Sequence, residues 1–138
     1  MAEDKMYYQG ELINKKDLSY AQIKFIQALV ELGIKDPLKT NLLTVFMELS
    51  RNIIRHAGHG SIRIGRIIER SLRRTGLVLD FNDEGPGIMH LDKIFSGSYK
   101  SKQGLGLGLK GAFRMADRFS LASIEDDSTH IRFIKWIK

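Results

Sequence analysis

Glu48-Leu-Ser-Arg-Asn52 sets a carboxylate and an amide four residues apart, and on a helix that spacing puts both on one face. A neutral amide oxygen suits a hard cation such as Mg²⁺, which prefers oxygen ligands and keeps several waters. A carboxylate one turn earlier can take the proton from a hydroxyl or water attacking a nearby phosphate. The same pair also fits a solvated helix flank with an ordinary side-chain hydrogen bond. A second group, Asp83-Glu-Gly85-Pro-Gly87, follows a run of alternating apolar residues, Leu77, Leu79 and Phe81. It reads either as a simple turn or as a carboxylate that accepts from the exocyclic amine of a base, with glycines letting a flat ring lie on the backbone. A third, Gly104-Leu105-Gly106-Leu107-Gly108-Leu109, can present backbone N–H groups to an anion where a helix begins. Gly106 to Gly111 also spells the dinucleotide fingerprint, but that motif needs a strand directly before it. Ser98 to Gln103 is polar and basic instead.

These groups need a frame, and hydrophobic spacing supplies one. Tyr7 to Ile13 reads as a first strand. A helix is expected from Leu18 to about Leu32, capped by Asp17 and ended by Gly33, with Ala21, Phe25 and Leu29 on its core face. Asp36-Pro37 is a second start signal. The helix it opens should run to about Ala57, burying Leu42, Val45, Phe46, Leu49 and Ile53. Strands follow at about Ser61–Ile68 and Gly76–Asn82, joined by an arginine-rich turn. The long polar stretch from Asp83 to Gln103 has the character of a functional lid. A third helix to about Phe119 and two strands, about Leu121–Glu125 and Thr129–Ile137, complete the chain. The pattern predicts an α+β fold: a two-layer α/β sandwich whose mixed, mostly antiparallel sheet is covered by helices on one face.

With 138 residues, 43% of them hydrophobic and 28% charged, the composition is that of one globular domain spanning 1–138. The absence of cysteine excludes disulfides and thiolate metal sites. No apolar run approaches spanning length, so a cytoplasmic protein without membrane attachment is expected. The net charge of +6 favours anionic partners without choosing among them.

Helix with Glu-x-x-x-Asn, strand ending Asp-x-Gly-x-Gly, lid, then Gly-x-Gly-x-Gly opening a helix: that order resembles the GHKL ATPase superfamily. Its members include DNA gyrase, the large heat-shock chaperone, MutL and histidine kinases. The resemblance implies the Bergerat ATP-binding fold. It implies that Asn52 holds Mg²⁺, that Asp83 with Gly85 and Gly87 holds adenine, and that the stretch from Gly104 to Leu109 holds phosphates. Lys102 is a candidate to reach the γ-phosphate. Within the superfamily, "ELSRNIIRHAGHGSIRI", "GLGLGLKGAFRMADRFSLAS" and "IRFIKWIK" resemble the small RsbT-type serine/threonine kinases of bacterial partner switching. Ser128-Thr129 departs from the Gly-Thr usual at this point of that branch, and the resemblance carries Thr129 over as a nucleotide contact.

This resemblance implies phosphorylation of STAS-domain scaffold and antagonist proteins of a stressosome. Release of the kinase to activate a phosphatase of PP2C type would follow. Two other functions stay open: an anti-sigma factor that binds a sigma factor directly while phosphorylating its antagonist, and a nucleotide-binding adaptor without phosphotransfer. The remaining candidates have plainer readings. His56 and His59 lack a third ligand. Arg63, Arg66, Arg70, Arg73 and Arg74 lack the interleaved aromatics of a nucleic-acid surface, so no nucleic-acid partner is expected. Trp136 is expected in the core.

Overall fold

The computed structural model of the chain describes residues 2–83, 105–123 and 128–137. The elements run β1 (Ala2–Leu12), α1 (Lys15–Glu31), α2 (Leu38–Asn52), a π-helical turn (Ile53–Ala57), β2 (Gly60–Glu69), β3 (Arg74–Asp83), α3 (Leu105–Met115), β4 (Arg118–Ser123) and β5 (Thr129–Trp136). The five strands form one sheet in the order β1-β2-β3-β5-β4. All pairings among the described residues are antiparallel, without the parallel pair that a mixed sheet would include.

β3 lies at the centre, and its position explains its sequence. Residues 76–81 are buried without interruption, because helices cover one face and side chains from neighbouring strands crowd the other. Leu77, Leu79 and Phe81 join the main core. Phe25 of α1 stacks on Phe46 of α2 with ring centroids 4.2 Å apart, and Phe46 meets Phe81 of β3 at 5.9 Å. Three rings thus tie both long helices to the central strand. Truncating Phe46 to alanine would cost about 3–5 kcal/mol by the usual penalty for a buried ring. The same rings hold the helix bearing Glu48 and Asn52 against the strand that ends at Asp83.

Several boundaries differ from the sequence reading. β1 starts at Ala2 rather than near Tyr7. Its first residues carry no apolar alternation, and ion pairs Arg66–Asp4 at 2.7 Å and Arg63–Glu3 at 2.8 Å bind them to β2 instead. Asn14, not Asp17, caps α1: its side chain accepts from the Asp17 N–H, while Asp17 accepts from the Ile13 N–H. Asp36 still ties down the first turn of α2, accepting from the N–H and hydroxyl of Thr40, but Pro37 rather than Asp36 holds the N-cap position. That helix does not run regularly to Ala57. After Asn52 it widens into a π-turn closed by the Gly58 N–H donating to the Ile53 carbonyl at 3.0 Å, five residues back. Gly58 sits at φ +76°, where a side chain would be strained. α3 stops at Met115, short of Phe119. Asp117 turns the chain there, donating its N–H to the Ile134 carbonyl and accepting from the Trp136 N–H. Phe119 consequently lies in β4, beside Phe133 of β5.

Trp136 is not in the main core. It packs with Ile67, Val78 and Ile134 in a small cluster apart from it, under the Arg74 guanidinium at 4.2 Å. Arg74 also pairs with Glu69 at 3.0 Å. Three of the five hairpin arginines, Arg63, Arg66 and Arg74, are therefore engaged within the chain.

Candidate nucleotide site

α2 gives Glu48 and Asn52 their common face, and packing against the core separates their environments. The Glu48 side chain is 37% exposed, and Arg51 Nη1 stands 3.7 Å from its Oε1. Asn52 is only 6% exposed. Its amide oxygen and nitrogen are both buried without a hydrogen-bond partner among the described residues. An unsatisfied buried polar group costs about 1–3 kcal/mol. Ser50 Oγ shares this lack, but two residues along a helix it projects from a different side.

The π-turn brings this helix end to the sheet. Gly60, the first residue of β2, lies opposite Asp83, the last of β3. A Cβ on Gly60 would stand 2.4 Å from the Asn82 carbonyl oxygen and 2.5 Å from Ile53 Cγ2. Only glycine admits this approach, so Gly60 lets Ile53, the neighbour of Asn52, reach the end of β3. The sequence reading did not single out Gly60. Its only signal was its place between a helix end and a strand of Ile-x-Ile pattern.

Asp83 is nearly buried at 9% exposure, and Thr129 opposite it on β5 is buried at 2%. Period-two alternation puts Asp83 on the same side as Phe81, the side covered by α2. The structure thus gathers Asn52, Asp83 and Thr129 at one end of the helix-covered face, with Glu48 a turn away on α2. Gly85, Gly87, Lys102 and Gly104 lie outside the described residues. Leu105, Gly106, Leu107, Gly108 and Leu109 do not form a loop: they are the first residues of α3. The first four N–H groups of a helix have no partner within it. The anion-binding capacity expected of the glycines therefore belongs to a helix start that packs beside α2.

On the opposite face, Asp80 of β3 is a buried carboxylate, 7% exposed. His130 Nε2 lies 3.1 Å from its Oδ1, and Arg132 Nη1 lies 3.3 Å from each oxygen. Gln9, Ser61, Arg63 and Asn82 complete the walls of a shallow depression around them. The sequence reading passed over Asp80 because it stands out of phase with Asp83. His59 Nε2 lies 4.0 Å from Glu11 Oε1, and among the described residues no three His, Asp or Glu side chains gather as metal ligands. No helix among them is long and apolar enough to cross a membrane.

A helix Glu-x-x-x-Asn seated against a strand that ends in Asp, beside a glycine-rich helix start, has counterparts in known proteins. Residues 38–136 match the family described as histidine kinase-, DNA gyrase B- and HSP90-like ATPases. The chain belongs to this family. Within it, the chain is 37% identical over 108 residues to the serine/threonine-protein kinase RsbT of Bacillus subtilis (strain 168), covering 78% of this chain and 80% of that protein. That places it among the RsbT-type serine/threonine kinases. Its fold resembles a chain in the crystal structure of the SiaB–SiaC complex from Pseudomonas aeruginosa, with a TM-score of 0.65 at 14% identity. The match covers 94% of this chain and 89% of that one. ATP use follows from membership of an ATPase and kinase family.

Proposed function

We propose that residues 1–138 act as one Mg²⁺-ATP-dependent kinase domain in the cytoplasm, phosphorylating a serine or threonine of a STAS-domain partner in a stressosome-like pathway. The observation that carries this reading is the buried amide of Asn52, without a hydrogen-bond partner among the described residues, one turn after Glu48. A neutral oxygen held out of water without a donor fits a hard cation and its water shell. When bound there, Mg²⁺ would neutralise charge on the phosphates of ATP. Asp83, with Gly85 and Gly87, holds the base. Thr129, Lys102 and the segment Gly104 to Leu109 hold the nucleotide and its phosphates. Glu48 accepts the proton of the substrate hydroxyl as its oxygen bonds to phosphorus and the bond to ADP breaks.

The substrate class rests on the likeness to RsbT, and a protein partner also agrees with the likeness to a chain found in the SiaB–SiaC complex. A new phosphate carries about −1.5 to −2 charges, and set against Glu48 it repels. The kinase then leaves its substrate and is free to engage a phosphatase of PP2C type. The test is to incubate the chain with a STAS partner, ATP and Mg²⁺, and to read the partner by mass spectrometry. A single added phosphate on serine or threonine, lost with EDTA, is the expected result. An unmodified partner alongside normal ATP binding would leave a nucleotide-binding adaptor.

A further inference from the structure

The outer side of α1 carries a second apolar face. Its inner side is buried through Ala21, Phe25, Ala28 and Leu29. Yet Tyr20, Ile23 and Val30 are 49%, 55% and 61% exposed, and Ile13, just before the helix, is 44% exposed. These are four of the seven large hydrophobic side chains that stand exposed among the described residues. Positions 13, 16, 20, 23, 27 and 30 follow the alternating three- and four-residue steps of a heptad seam. Lys16 and Gln27 hold the two polar places in that seam. The apolar members of such a row are normally covered, because a contiguous exposed patch marks an interaction site.

We infer that this seam docks an amphipathic helix of another protein, one with an apolar stripe flanked by carboxylates. The spacing selects a helix, whose side chains would fit as knobs between Tyr20, Ile23 and Val30. The charges select acidic flanks. The acids along this side of α1 are already committed, Asp17 to the Ile13 N–H and Glu31 to Lys5. Lys16 has no partner among the described residues, and Lys24 lies over the Tyr20 ring at 5.3 Å. A second copy of this chain fits less well. Antiparallel pairing about residue 25 would bury Gln27 against Ile23 twice, and parallel pairing would bring Lys16 against Lys16. A different helix can offer a carboxylate to Lys16 and a polar partner to Gln27. This docking is independent of the phosphotransfer reading, since none of its residues belongs to the nucleotide site.

The test uses the full chain and a labelled synthetic helix of three heptads with Leu at a and d and Glu at e and g. Self-repulsion keeps that peptide from pairing with itself. Fluorescence anisotropy is expected to show saturable binding, weakened at least tenfold by Ile23→Asp and by Val30→Asp. A peptide with Lys at e and g is expected not to bind. Melting curves and ATP binding of both variants should match the parent, since both positions are more than half exposed. Sedimentation should show the chain alone as a monomer. Failure of the acidic peptide to bind, equal binding of the two peptides, or binding indifferent to both substitutions would overturn the inference. So would self-association abolished by Ile23→Asp, which would give the seam to a second copy.

Discussion

Asp80 and Asn52 are both buried polar side chains, one in the depression of the sheet and one on the helix layer, and they are treated in opposite ways. Asp80 has its partners in place: the Arg132 guanidinium at 3.3 Å balances its charge, and with His130 at 3.1 Å it fills the acceptor positions. Asn52 has none among the described residues, although both ends of its amide are buried. A satisfied network fixes structure and has little left to offer a ligand. An unsatisfied group costs stability in the free protein and returns that cost when a ligand supplies the missing contact. The difference separates a structural carboxylate from the amide proposed to bind a ligand better than residue type or depth does.

The largest expected effects break this comparison on the helix side. Glu48→Gln should lower phosphotransfer roughly 10²–10⁴-fold, the range for loss of a general base, while ATP binding persists. Asn52→Ala should lose Mg²⁺-dependent ATP binding and phosphotransfer together, yet melt no lower than the parent, since it removes an unsatisfied group. Single-turnover assays with parallel melting curves check both, and a marked fall in melting temperature for Asn52→Ala would make that residue structural. Next comes Asp83→Asn. Loss of a charge-assisted hydrogen bond to the base should weaken ATP by about 1.5–3 kcal/mol, read by calorimetric titration. Unchanged affinity in a folded variant would remove Asp83 from the site.

Asp80→Ala sharpens the contrast from the other face. It should destabilise by about 1–2 kcal/mol, moderated because the His130 and Arg132 side chains it leaves are partly exposed. ATP affinity should stay at the parental value, and denaturant melts with titrations would show both. The smallest effect belongs to Asp36, an exposed side chain that serves as a baseline. The Thr40 hydroxyl, then the Thr40 N–H, hold its carboxyl below the ordinary 3.8. A lowered native pKa means the bond stabilises fully above the ordinary value and is lost as pH falls through the lower native one. Asp36→Ala should therefore lower the melting temperature slightly at neutral pH and lose that difference in strong acid.

Much of this was legible in the chain. Helix starts and stops depend on local chemistry, so Asp36, Gly33 and Gly58 marked them. The spacing of Glu48 and Asn52 and the alternation ending at Asp83 are local too, and they put these candidate residues on a helix and at a strand end. Three features were not legible. β1 begins five residues earlier than its apolar pattern, because long-range ion pairs to β2 replace that pattern. The regular α-helix ends at Asn52 because the π-turn must reach a strand thirty residues away in sequence, an approach that Gly60 alone permits. Asp80 stands out of phase with Asp83 and faces the other side of the sheet, where only the pairing of β3 with β5 supplies His130 and Arg132. Residue types and spacing set which groups could act and on which element. Which of them are buried, and whether a partner meets them there, depends on contacts between segments far apart in sequence, and only the tertiary structure decides those.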